Sequence, residues 1–126
     1  MLRVSTKPRK RNSPRIAEKS APGFLQYLRG RGCVFAGSFW LGPCGGKTEA
    51  MHLDFAGGKG MGTKVADSFC IPGCSVHHKR QTDKGWITFI KEARTSKQEL
   101  LAAADTFWRT WPGRIAWERK LEERNG

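Results

Sequence analysis

The sequence predicts a small α+β domain in which a short hairpin runs into a helix. Further helices flank that core, and a disordered basic arm precedes it. Three observations carry this expectation. Between Cys44 and His78 the chain gathers all three of its His and three of its four Cys. Two short apolar stretches, near 49–54 and 68–71, are bounded by turn residues in the manner of strands. Beyond Trp86, apolar side chains recur at helical spacing.

At 126 residues the chain has room for one modest domain. With 38% hydrophobic residues and 15 Gly, burial alone contributes little, and a metal or disulfides would serve as a staple. The N-terminus is charged and lacks the apolar run of a secretory leader, so a reducing cytoplasm and a metal site are expected rather than disulfides. The net charge of +12 points to a polyanion, with nucleic acid first. No segment approaches the roughly 18 apolar residues of a membrane span, so no membrane partner is expected.

In chain order, residues 1–20 hold seven Lys or Arg against one acidic residue, about half of the net charge. Two prolines and scattered small polar residues make this a disordered arm, whose Lys7, Arg9, Lys10, Arg11 and Arg15 would lie along phosphates. Residues 21–126 form the domain proper. Ser20 reads as a helix N-cap with Pro22 in the first turn; Phe24, Leu25 and Leu28 make an apolar face, and Gly30 and Gly32 end the helix. Cys33 to Cys44 reads as an aromatic, glycine-rich loop. The GGKT at 45–48 is no phosphate loop, because Leu41 stands where that motif needs its first Gly.

Glu49–Asp54 reads as a strand with Met51 and Leu53 on one face and His52 and Asp54 on the other. After a glycine-rich loop, Ser68–Ile71 reads as its partner, and Pro72-Gly73 as the turn into a helix bearing Cys74, His77 and His78. Trp86, Phe89, Ile90 and Ala93 follow helical spacing. So do Leu100, Leu101, Ala104, Phe107, Trp108 and Trp111 behind a Thr95/Ser96 cap. Pro112 opens a last helix with Ile115, Ala116 and Leu121 facing inward. These aromatic stripes read as core packing rather than base stacking.

A structural zinc takes four Cys or His donors at tetrahedral corners, usually as two pairs. Cys33 with Cys44 would form one pair and Cys74 with His77 the other. The second has a suitable C-x-x-H spacing; in the first, ten residues intervene where two to four are customary. Cys70 reads as a buried strand thiol, with replacement of one ligand as the alternative. His52, a lone His on a strand, would by itself be structural.

CVF at 33–35, TEAMHLDF at 48–55, GGKGMGTKVADSF at 57–69 and IPGCSVHH at 71–78 together resemble the HNH family of ββα-metal nucleases. Within it, the likeness is to small phage and prophage proteins akin to recombination-enhancement nucleases of the Ref type. The resemblance implies a zinc-stapled ββα-metal core and a metal-dependent DNA endonuclease or nickase using Mg²⁺ or Mn²⁺. His52 would match the general base, His78 a ligand of the catalytic metal, and Asp67 the Asn or Asp that orients the site or helps to ligate. Lys59 and Lys64 would contact flanking phosphates. The chain departs from the family at Met51 and Thr82, where relatives carry metal ligands, and at Ala36, the usual second Cys of a C-x-x-C pair, which Cys44 replaces. Asp54 or Asp83 would then supply a missing ligand. Two other expectations stand beside the enzyme: a catalytically degenerate zinc module that binds nucleic acid, and a structural subunit of a larger nucleoprotein assembly.

Overall fold

The computed structural model describes residues 19–57 and 65–125; the arm residues Lys7, Arg9, Lys10, Arg11 and Arg15 and the loop residues Lys59 and Lys64 lie outside them. Strand β1 (Thr48–His52) pairs antiparallel with β2 (Cys70–Cys74), in a register running from Thr48↔Cys74 to His52↔Cys70. Alternation along β1 turns Met51, and Leu53 just beyond its end, into one apolar core with Ile71 and Phe89. Ala50 and Cys70 meet a second core built on Phe24 and Leu28. With both faces of the hairpin covered, β2 is buried along its whole length.

β2 starts two residues later than the expected Ser68–Ile71 and ends three residues later, so Pro72-Gly73 belongs to the strand instead of turning out of it. The ladder explains how proline is accommodated. Pro72 faces Ala50, and its carbonyl accepts the Val34 N–H (2.9 Å) on the side away from β1. At such a position the missing N–H also points away from β1, so no ladder bond is lost. Gly73 has a separate reason: a Cβ there would collide with Sδ of the fully buried Met51. Gly73→Ala is therefore expected to cost about 1–3 kcal/mol through overpacking. A thermal midpoint equal to that of the parent chain would show that Met51 can turn aside.

β1 stops at His52, short of the expected Asp54. Leu53 still donates its N–H to the Phe69 carbonyl (2.8 Å), after which Asp54–Ala56 coil into one 3₁₀ turn. At the front of the domain, α1 (Pro22–Arg29) is capped by Ala21 rather than Ser20. The reason is tertiary: the Ala21 N–H is taken by the Asp67 carboxylate (2.8 Å), and the Ser20 carbonyl accepts from Trp117 Nε1 (2.9 Å). Phe24 and Leu28 face inward and Gly30 ends the helix, as expected.

Helix α2 (Ser75–Lys84) leaves β2 without a loop. Cys74, in an extended conformation, is both the last strand residue and the helix N-cap, so it stands at the helix mouth rather than on the helix. Gly85, at φ 86°, ends α2 and starts α3 (Trp86–Ala93); a left-handed φ suits glycine at that corner. Glu92 ties the corner by accepting from Arg80 (3.0 Å) and Lys84 (3.3 Å). Helix α4 (Lys97–Thr110) begins at Ser96, whose hydroxyl accepts the Glu99 N–H (3.1 Å). Its aromatic stripe packs in the core: Trp108 meets Phe24 edge to face at 5.0 Å.

Helix α5 (Arg114–Asn125) does not present the expected face. Ile115 and Ala116 are exposed, while Trp117 and Leu121 are half-buried. The inward side of α5 is the one that packs Trp117 against the Phe24 core and Trp108 (5.2 Å) and brings its indole N–H onto the Ser20 carbonyl. No helix among the described residues is long and apolar enough to cross a membrane.

Candidate metal centre

Cys33, Cys44, Cys74 and His77 converge, with one donor atom from each lying within 4.8 Å of all the others. Each arrives by a different route. Cys33 follows α1 and lies beside Val34, whose N–H ties this stretch to β2. Cys44 ends the aromatic loop, which Phe35 and Leu41 anchor by burying their side chains. Neighbouring Gly45 fixes that end to α2 by accepting from the Ser75 hydroxyl (3.1 Å) and the Val76 N–H (3.2 Å). Cys74 caps α2, and His77 projects from its first turn into full burial.

The donor geometry suits a tetrahedral zinc. Nδ1 of His77 lies 3.5 Å from Cys33 Sγ and 3.8 Å from Cys44 Sγ. Ligand separations of roughly 3.5–3.8 Å follow from Zn–S and Zn–N bonds of about 2.3 and 2.0 Å around a tetrahedron. The other ring nitrogen, Nε2, donates to the Gly42 carbonyl (3.1 Å), which leaves Nδ1 as the lone-pair nitrogen facing the sulfurs. Backbone N–H groups also point at sulfur: Phe35 at Cys33 (3.3 Å) and His77 at Cys74 (3.4 Å). None of the four cysteines is in a disulfide.

Electrostatics divides the thiols. Cys44 is exposed as a residue, yet its sulfur faces the cluster; loss of water there, reinforced by Cys33 and Cys74, pushes its pKa up to about 12. Burial also works against ionisation of Cys74, but the N–H groups of His77 and Gly45 and the two neighbouring thiols bring it below the ordinary thiol value. Three thiols in contact cannot all ionise by themselves; a dication removes that conflict. Cys70 stands apart, fully buried in the second core and outside the four-donor group.

The remaining histidines form two separate pairs. Nε2 of His52 lies 3.0 Å from Asp67 Oδ1, with the two side chains 28% and 16% exposed, so the pair is partly open to solvent. Asp67 is itself held on both sides of its backbone and carboxylate: Oδ2 accepts the Ala21 N–H (2.8 Å), and its own N–H donates to the Lys19 carbonyl (2.8 Å). Nδ1 of His78 lies 2.7 Å from Glu49 Oε1. Alternation puts Glu49 on the Met51 face of β1 and His52 on the Ala50 face. No hydrogen bond among the described residues joins one pair to the other, and neither belongs to a group of three metal donors.

Glu49 is the partner that sequence reasoning did not single out. Its signal is the strand register, since Glu49 faces Gly73 and α2 begins two residues later. Of the residues at the departures noted above, Met51 is fully buried and Thr82 is exposed. Asp83 pairs with Lys79 (2.9 Å), and Asp54 opens the 3₁₀ turn, so neither joins a donor group among the described residues. Compared with family models, with curated proteins and with solved structures, the chain matches none.

Proposed function

We propose that this chain is a zinc-stapled, metal-dependent nuclease of the HNH type that cuts or nicks DNA, with His52 as general base. The observation that carries the reading is the 3.0 Å contact between His52 Nε2 and Asp67 Oδ1 at the end of the hairpin that feeds α2. A carboxylate on one ring nitrogen holds the imidazole in place and favours the cation formed when the other, Nδ1, takes a proton from an attacking water. Such a base contributes about 10²–10⁴-fold in rate. The net charge of +12 supplies attraction to a phosphate backbone.

Glu49 and His78, hydrogen-bonded at 2.7 Å on partly exposed side chains, are the oxygen and nitrogen that would hold Mg²⁺ or Mn²⁺ once the proton between them is displaced; these cations keep several waters and need few protein ligands. When bound, the cation would supply positive charge against the scissile phosphate. A second reading, a nucleic-acid-binding module of the same fold without catalysis, is favoured by the separation of the two histidine pairs onto opposite faces of β1.

Supercoiled plasmid incubated with the chain across a panel of divalent metals distinguishes the two readings. The nuclease reading expects nicking in Mg²⁺ or Mn²⁺ that is lost in His52→Ala while zinc content and circular dichroism stay unchanged. Salt-sensitive binding with no cleavage in any metal would leave the binding module.

A further inference from the structure

The loop between Cys33 and Cys44 leaves a large aromatic surface uncovered. Phe39 is 85% exposed and Trp40 51%, while Phe35 and Leu41 on either side are buried. The loop is anchored at its ends and presents its middle to solvent. Phe39 and Trp40 meet edge to face (5.2 Å, 86°), an arrangement that fixes the two rings relative to each other. Beside them runs a groove of about 700 Å³ between this loop and the α3–α4 junction, lined by Arg94, Thr95, Glu99 and Leu100 among others.

Arg94 supplies an independent observation. It ends α3 in the left-handed conformation (φ 60°, ψ 43°), and among the described residues it is the sole non-glycine with positive φ. Glycine is the usual occupant of that position, because a Cβ is disfavoured there. What an arginine adds is its guanidinium, whose Cζ lies 3.8 Å from the centroid of the Trp40 ring. No carboxylate among the described residues pairs with it. A guanidinium stacked on indole keeps its N–H donors in its own plane, where they suit phosphate. Lys91 and Lys97, both exposed, lie three residues to either side, and Glu99, the acidic residue of the groove, accepts from the Thr95 hydroxyl (2.8 Å).

We infer that Phe39, Trp40 and Arg94 form a binding site for unpaired nucleotides of a nucleic acid strand, with a base stacked on the Phe39 ring and phosphate held by Arg94. The charge of the chain selects a polyanion, and exposed aromatic faces select bases not already covered by neighbours in a duplex. The inference rests on the proposal that nucleic acid is the partner and narrows it to strands bearing single-stranded segments.

The test is fluorescence anisotropy with a labelled oligothymidine and a duplex of equal phosphate number, without Mg²⁺ or Mn²⁺ so that no strand is cut. The double variant Phe39→Ala/Trp40→Ala should bind oligothymidine at least about tenfold more weakly. Its duplex affinity should change less than about twofold, and Phe39→Trp should keep single-strand affinity. Zinc content equal to that of the parent establishes that the variants are folded. Unchanged oligothymidine binding in the double variant, or an equal loss on both nucleic acids, would overturn the inference; so would a parent chain that binds neither, which would leave the patch to a protein partner. The nuclease reading fails separately: a chain that binds oligothymidine through Phe39 and Trp40 but nicks no plasmid keeps this site and loses that activity.

Discussion

Cys74→Ser is expected to unfold the domain rather than weaken one site. Cys74 belongs to the Cys3His group suited to a metal and is the N-cap of α2 and the last residue of β2, so the hairpin, the helix and the Cys33–Cys44 loop all meet at its sulfur. Apparent binding free energies of structural zinc are about 10–16 kcal/mol, as large as the roughly 5–15 kcal/mol net stability of an ordinary domain. A zinc held by these four donors would therefore supply the margin that keeps the chain folded, and its removal would take that margin away. Metal analysis should find about one zinc per chain, and chelation should abolish the cooperative thermal transition. The pH dependence follows from the thiols. Metal binding needs Cys44 as thiolate although its thiol is held up at about 12, so protons compete strongly and acidification should expel the zinc. A chain that keeps its transition in the presence of a chelator would sink the stapling role.

The second large effect is expected at Asp67, where two substitutions separate support of the fold from support of His52. Asp67→Ala leaves the N–H of Ala21, a residue 1% exposed, without its carboxylate. An unsatisfied buried donor costs about 1–3 kcal/mol, which denaturant unfolding resolves. Asp67→Asn can still accept from Ala21, so stability should change little. Its amide, however, would donate to His52 Nε2 and leave the proton on Nδ1, the nitrogen that has to accept one if His52 acts as the proposed general base. Loss of a correctly poised base is worth about 10²–10⁴ in rate, so plasmid nicking should fall by that order in both variants. Full nicking by Asp67→Asn would remove Asp67 from the orientation of the base. A stability loss in Asp67→Ala without any change in nicking would reduce the residue to an anchor for the root of α1.

Much of this architecture was legible from local signals. The Ser96 cap, the Gly30 stop and the helical spacing after Trp86 were readable because caps, breakers and 3.6-residue periodicity act within a few residues. The Cys3His group was readable because cysteine and histidine have few other uses in a small domain without disulfides. The misplaced pieces are those decided at long range. Ser20 lost the cap of α1 to Ala21 because Asp67, 46 residues from Ala21, supplies the carboxylate. The inward face of α5 turned from Ile115 to Trp117 because Trp108 and the Ser20 carbonyl lie on that side.

What the residue order determined by itself was the inventory: a strongly basic chain, four zinc-suited donors, two strands with an adjoining helix, and apolar stripes for the helices around them. Tertiary structure decided the partnerships that the order of residues did not suggest, namely Pro72 inside a strand, the Asp67 carboxylate on the Ala21 N–H, and His78 with the unanticipated Glu49. The physical reason is that secondary structure follows from neighbours along the chain, whereas a hydrogen bond or a metal donor set depends on register and packing, which arise only when distant segments meet.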